Sequence, residues 1–341
     1  MERVLDVLIF GDGPAARLAA IALSGLGLRV VRALPRPGLG PPPTARHSHI
    51  LATTMGPAAA VLDRTLAQEI AARTEPQCRW RSFSGPDCVE YTAPRLSRAA
   101  VDAALDICIG RHQFEAWRDV QITGREGARL CAGSRQGQGQ GCFDLVIDAT
   151  GAHRATLPML ARLGLKIGYE DTGRVKLYQT LELALPEALP AVQWSGPALD
   201  GPCGALYGEI RGHCLRITAS RGRGGARPIT AASEIAQDFP PRIAALVPSG
   251  ARLLRRTSTI APQYRRLRLP ERDMANWIAL GDARAQWPPR LGTGLNAIFR
   301  QCRVLHRTLA EGGGPVEVRR ALDGVIDEIW AGRATDLALR Q

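Results

Sequence analysis

Lysine is nearly missing from this 341-residue chain: only Lys166 and Lys176 are lysines among 44 basic residues, and the rest are arginines. Aromatic residues make up just 5 %. No apolar run reaches the roughly 18 to 20 residues that cross a bilayer, because arginines or prolines interrupt every candidate stretch, so a spanning helix is excluded. The eight cysteines include no Cys-x-x-Cys pair. Their spacing signals neither a zinc cluster nor a dithiol redox motif, and buried, reduced thiols with no metal are expected. Gly-x-Ser-x-Gly, His-Glu-x-x-His and the nucleotide-triphosphate loop are also absent, which removes the common hydrolase readings. The start of the chain, charged at Glu2, Arg3 and Asp6, lacks the basic opening and cleavage site of a signal peptide, so a cytoplasmic location is expected.

What is present is an ordinary globular balance, 45 % apolar and 22 % charged, over a length that suits one large composite domain or two. The net charge of +12 reads either as a field attracting an anionic cofactor or an acidic partner protein, or as a coding bias toward arginine. The stretch holding Arg255, Arg256, Arg265, Arg266, Arg268 and Arg272 carries only Tyr264 as an aromatic and has no reader-helix pattern, so nucleic acid is not expected.

Residues 4 to 10 form an apolar run suited to a buried parallel strand and lead into Gly11-Asp12-Gly13-Pro14-Ala15-Ala16. Good helix formers follow from Ala15 to Leu26, Gly27 stops them, and Leu28 to Leu34 reads as a second strand. In this βαβ unit Gly11 permits a tight turn, Gly13 lets the backbone approach a pyrophosphate, and Ala16 allows close helix–strand packing. The helix start then offers free N–H groups and a positive dipole end to phosphate. The carboxylate that should end the second strand and accept the ribose hydroxyls is missing, since Leu34 stands there. Either the adenosine half is held differently, with Arg36 near a phosphate, or affinity is reduced.

Two further strand-like runs end in small-residue turns: 142 to 151, closing on Asp148-Ala-Thr-Gly151, and 276 to 283, closing on Gly281-Asp282-Ala283. The glycine-rich run 135 to 141 reads as a hairpin connection. After Gln286-Trp-Pro-Pro-Arg-Leu-Gly-Thr-Gly-Leu-Asn296, Ile298, Phe299, Cys302, Leu305 and Leu309 recur with helical spacing. Residues 316 to 338 predict a packing helix with Val318, Leu322, Val325, Ile326, Ile329 and Trp330 on one face. Between them, Val175 to Leu183, Ala205 to Arg211 and His213 to Ala219 read as strands split by Gly/Pro turns.

These pieces, in order and spacing, resemble the FAD-dependent monooxygenases of the p-hydroxybenzoate hydroxylase-like family, the single-component flavoprotein hydroxylases. The resemblance rests on the N-terminal Gly-x-Gly-x-x-Ala, on Asp148-Ala-Thr-Gly151, and on Gly281-Asp282-Ala with Pro289-x-x-Gly292-x-Gly294-x-Asn296. Leu96-Ser97-Arg98, opening a helix over 99 to 109, is similar to the family's arginine-bearing segment. It implies an α/β fold: a discontinuous Rossmann-like FAD-binding domain (1–75, 95–165 and 270–312), a smaller β-sheet substrate domain (76–94 and 166–269) and a C-terminal helix (313–341). The implied FAD contacts are Gly11, Gly13, Pro14, Ala15, Ala16, Arg36, Arg46, Arg98, Asp282, Pro289, Gly292, Thr293, Gly294, Leu295 and Asn296. Trp287, Pro288, Tyr178 and Tyr207 are the candidate pocket walls, and no catalytic residue is assigned. His47 and His49 share one side of an extended segment, but no third ligand lies near them. Ala283-Arg284-Ala285 departs from the family's Ala-Ala-His and removes a ring from beside the flavin.

The implied activity is hydroxylation of an aromatic or other electron-rich small molecule through a flavin C4a-hydroperoxide, with molecular oxygen as co-substrate and NAD(P)H as reductant. Two alternatives stay open. One is a flavoenzyme that oxidises a side chain, such as tryptophan, of a partner polypeptide during maturation of a peptide-derived cofactor; the other is a degenerate, non-catalytic flavin-binding protein.

Overall fold

A computed structural model describes residues 5–36, 50–51, 55–84, 87–165, 167–173, 175–196, 203–222, 245, 247–262, 264–268, 276–288 and 293–332. In chain order the strands are β1 (Asp6–Phe10), β2 (Arg29–Leu34), β3 (Ile50–Leu51), β4 (Glu75–Ser84), β5 (Asp87–Ser97), β6 (Glu115–Arg118), β7 (Val120–Glu126), β8 (Arg129–Ser134), β9 (Gln140–Phe143), β10 (Leu145–Asp148), β11 (Gly168–Asp171), β12 (Val175–Gly196), β13 (Cys203–Gly222), β14 (Arg252–Pro262), β15 (Arg265–Arg268), β16 (Trp277–Ala279) and β17 (Ala285–Gln286). The helices are α1 (Pro14–Ser24), α2 (Met55–Leu62), α3 (Arg64–Arg73), α4 (Arg98–Gly110), α5 (Leu157–Arg162), α6 (Thr293–Ala310) and α7 (Pro315–Ala331).

The apolar runs become a parallel five-stranded sheet in the order β16-β10-β1-β2-β6. Its strands are apolar on both faces because both faces are covered. Val7, Ile9, Val30, Leu145, Ile147 and Ile278 point into a core shared with α1, α2, α3, α4 and α6. Leu8, Phe10, Val31, Ala33, Val146 and Trp277 point the other way, against α5 and the antiparallel meander β7-β8-β9. The β1-α1-β2 unit forms as the glycine spacing predicts, and the 135–141 run is the β8–β9 connection. In α6, Phe299, Cys302 and Leu305 are fully buried, and its His306 Nδ1 lies 2.7 Å from the Ala22 carbonyl of α1.

A second sheet, β13-β12-β4-β5-β3 with β14 also on β12, lies apart from the first. The expected strands here are corrected in length: β12 and β13 are 22 and 20 residues long and run through the expected breaks. Register shifts between Ala184 and Val192 absorb Pro186 and Pro190, while Gly212, at φ +55°, opposes Leu189. One face of β12 and β13 carries Leu181, Leu183, Trp194, Leu215 and Ile217 into an apolar core. The other is polar: Thr180 and Thr218 share a 2.7 Å hydrogen bond, and Gln193 Nε2 donates to Glu209 Oε2 at 3.1 Å.

The thiol expectation is also corrected. Cys131 and Cys142, opposite one another in the β8–β9 ladder, form a disulfide, and Cys88 is exposed. An eleven-residue separation means little as a sequence motif, but an antiparallel register makes it a contact. Glu126 beside these cysteines is the one group of three potential metal ligands among the described residues, and the disulfide uses both sulfurs.

Candidate flavin site

The site is built where β1, β10 and β16 end and α1 and α6 begin. Gly11 turns the chain out of β1 at φ +119°, donating its N–H to the Ala33 carbonyl at 3.0 Å. A Cβ there would stand 2.6 Å from the Ala149 carbonyl oxygen, so only glycine lets this turn pass so close to the end of β10. Gly13 precedes α1 in extended conformation, with no atom within 4 Å of where its Cβ would lie. Pro14 occupies the first helical position and no side chain caps the helix. The N–H groups of Ala15 and Ala16 therefore have no intrahelical acceptor, and they sit at the positive end of the helix dipole.

The middle motif has a different job. Asp148 is fully buried and its carboxylate accepts from the Thr150 N–H (2.9 Å), the Thr150 hydroxyl (2.7 Å) and the Thr156 hydroxyl. That network fixes the turn after β10, against which Gly11 packs. The third motif comes to the first through Gly281, whose added Cβ would lie 3.1 Å from both Ala15 Cβ and Ile298 Cγ1. Its φ of +59° and its hydrogen bond to Gln301 Oε1 (2.7 Å) aim the next residue, Asp282, across the mouth of α6.

Asp282 lies deep in this groove, with Oδ1 4.0 Å from a Cβ built on Gly294 in the first turn of α6. No hydrogen-bond donor reaches its carboxylate among the described residues. Burial pushes the Asp282 pKa up from the ordinary carboxylate value, against the opposing pull of the Arg98 and Arg154 charges. Arg98, expected from the helix it opens, thus belongs to the same electrostatic site. Ser97 caps that helix through the Ala100 N–H, and the Arg98 Nε donates to Asp102 at 2.9 Å.

Sequence reasoning missed two arginines that hold the third motif in place. Arg154, buried and at φ +48°, donates from Nε to the Ala283 carbonyl (2.9 Å) and stacks over Tyr169 at 5.1 Å. Arg284, standing where the family resemblance led to a small residue, turns away from the groove to the Leu267 carbonyl and to Asp323 on α7. Burial lowers the pKa of both. No local pattern signals these contacts, because Ala283 lies 129 residues from Arg154, and Leu267 and Asp323 lie 17 and 39 residues from Arg284.

Of the other expected residues, Thr293, Gly294, Leu295 and Asn296 form the first turn of α6, with Leu295 turned into the core. Arg36 is exposed at the end of β2 and paired with Asp119 at 2.7 Å. Trp287 packs edge-on against Tyr264 and Trp330, and Pro288 is buried beside it. Tyr178 is buried on the polar face of β12, opposite Ser220. Arg46, His47, His49, Pro289, Gly292 and the Tyr207 side chain lie outside the described residues. The uncapped start of α1, the open space above Gly13 and the donorless Asp282 carboxylate together fit a flavin dinucleotide. Phosphate would meet the helix and a ribityl hydroxyl the carboxylate.

No family model matches the chain and no curated protein matches it. Solved structures do. The flavin-dependent brominase Bmp2 superposes with a TM-score of 0.65 at 15 % identity, over 95 % of this chain and 83 % of that one. The p-nitrophenol 4-monooxygenase PnpA from Pseudomonas putida DLL-E4 gives 0.60 at 17 %, over 94 % and 84 %. Aklavinone-11 hydroxylase, solved in a ternary complex with FAD and aklavinone, gives 0.64 at 17 %, over 91 % and 63 %. From its βαβ start to its C-terminal helices, this chain has the fold of the flavin-dependent monooxygenases.

Proposed function

We propose that the protein is an FAD-dependent monooxygenase acting on an aromatic or other electron-rich small molecule. The observation that carries this is the convergence of the uncapped α1 terminus and the donorless Asp282 carboxylate in one groove at the ends of parallel strands. Bound FAD would supply the redox chemistry between a nicotinamide donor, molecular oxygen and substrate. The chain itself holds the cofactor. Ala15 and Ala16 would donate to the pyrophosphate, Asp282 would accept a ribityl hydroxyl, and Arg98 balances the Asp282 charge. The start of α6, with Thr293 and Gly294, turns N–H groups toward the flavin edge where negative charge accumulates on reduction.

The sheet of β4, β5 and β12 to β14 is the proposed substrate roof, with Tyr178 on its polar side, and residues 76–94 and 166–269 are the proposed substrate domain. NADH or NADPH is the proposed donor and the cytoplasm the proposed location. No helix among the described residues is long and apolar enough to cross a membrane. The test is the visible spectrum of the purified protein with and without added FAD, followed by anaerobic mixing with NADH and NADPH. Shifted flavin bands and bleaching by one donor are expected. A spectrum of added FAD left unchanged by the protein sinks the reading.

A further inference from the structure

The end of β2 offers no carboxylate to the adenosine ribose, yet a carboxylate stands beside it. Gly11 N–H bonds the Ala33 carbonyl, so the next residue of the turn, Asp12, lies against the last residues of β2. Val31 and Ala33 point into the core beneath the parallel sheet, which places Arg32 and Leu34 together on the opposite, α1-bearing side. Arg32 reaches from that side to Asp12, Nη2 to Oδ1, at 2.7 Å. The Asp12 side chain is therefore drawn over the face from which residue 34 projects.

We propose that Asp12 takes the place of the missing strand-end carboxylate and accepts the adenosine ribose hydroxyls; this rests on the dinucleotide reading above. Three features fit that role. Both cationic neighbours, Arg32 at 2.7 Å and Arg17 Nε at 3.8 Å, approach Oδ1, and no donor among the described residues reaches Oδ2. The Asp12 side chain is 50 % exposed while that of Arg32 is 10 % exposed, so the arginine is the buried anchor and the carboxylate the presented group. A carboxylate in a phosphate-binding turn would ordinarily repel the pyrophosphate, but Arg32 at 2.7 Å and Arg17, itself paired with Asp106 at 2.7 Å, bring this cluster of two guanidiniums and two carboxylates to neutrality. The Arg32 Nε is itself buried without a partner, which is the arrangement of a residue fixed by its place and not by a full set of bonds.

The experiment titrates the protein with FAD and with an FAD analogue whose adenosine is 2′,3′-dideoxy, read by quenching of flavin fluorescence. Wild type is compared with the double variant Asp12→Ala, Arg32→Val, which leaves no unpaired charge buried, and with that variant carrying Leu34→Glu; thermal melts establish that each is folded. Wild type is expected to bind FAD at least about tenfold more tightly than the analogue, the size of one charge-assisted hydrogen bond. The double variant should bind both ligands equally, and Leu34→Glu should restore the preference for FAD. Should the double variant fail to fold, Asp12→Asn keeps an acceptor for Arg32 and should narrow the same preference. Equal binding of the two ligands by wild type, or full preference retained in the double variant or in Asp12→Asn, overturns the assignment of Asp12 while leaving the flavin reading intact. Wild type that binds neither ligand overturns both.

Discussion

Asp282 is the residue where folding and binding pull in opposite directions. Its carboxylate is half-buried with no donor among the described residues, so desolvation raises its pKa in the folded state, and the charged form opposes folding. Below the ordinary aspartate value, near pH 4, the group is protonated in both folded and unfolded chains and has no effect. As pH rises past that value the unfolded chain loses its proton first, and the penalty grows until the folded group ionises too. Asp282→Asn is therefore expected to raise the melting temperature of the flavin-free protein at pH 7 to 8, with the gain shrinking toward pH 4. The same substitution should weaken FAD binding about tenfold, because the neutral amide is a poorer acceptor for a ribityl hydroxyl. Melting curves across pH and a flavin titration check the two halves separately. Glu209, which is buried, behaves differently. Burial alone would raise its pKa, but the guanidiniums of Arg95 and Arg216 and the Gln193 amide hold it below the usual carboxylate value.

Among the elements, the long β12–β13 pair shows how one residue's size can set the packing of a sheet. The Trp194 indole is fully buried and lies directly over Gly208, its partner in the ladder, so a Cβ at 208 would overlap the ring, with Nε1 2.7 Å away. The apolar core on this face is small, and the indole is a large share of it. Gly208→Ala is expected to destabilise the protein by about 1 to 3 kcal/mol, since the ring must leave its place or the strands must part. Denaturant unfolding followed by tryptophan fluorescence measures it. Gly208→Ala with Trp194→Phe should recover part of the loss, which a simple loss of glycine flexibility would not show. The helical face of the parallel sheet was by contrast legible in advance. The spacing of Phe299, Cys302, Leu305 and Leu309 specified which side of α6 is buried before any partner was known.

At the scale of the whole molecule, many arginines among the described residues join distant segments. Arg266 meets Glu170 and Asp327, Arg265 meets Asp171, Arg29 meets Glu115, and Arg129 meets Asp6 and Asp144. The positive net charge is thus partly spent in cross-links within the chain, although exposed pairs of this kind each add little. Arg284 with Asp323 contributes more, because Arg284 is buried and the pair ties α7 to the turn that carries Asp282. Asp323→Ala leaves that guanidinium without its carboxylate and should cost about 2 to 3 kcal/mol, with a parallel loss of FAD affinity. Restoring the apolar balance with Arg284→Met in the same chain should return most of the stability, and a double-mutant cycle read by thermal unfolding decides it.

The sequence by itself determined the parts whose physics is local. Glycines where a tight turn needs them, apolar runs of strand length and a helix-period stripe were enough to specify the βαβ unit and α6, while the helix opened by Arg98 and the joining of Gly11 with Asp282 came from the resemblance to the flavoprotein hydroxylases. Only the tertiary structure decided what depends on register and on residues far apart. It alone showed that Asp148 braces a turn, that Arg284 leaves the groove for α7, that Cys131 and Cys142 meet across a hairpin, and that β12 continues past its prolines. The same holds for Asp12: from sequence it is a residue inside a glycine motif with no role of its own, and it becomes a candidate ribose acceptor only when the pairing of β1 with β2 sets it beside Arg32. A contact between residues separated by tens of positions leaves no periodicity to read, because the chain between them is free to take any path that the core allows.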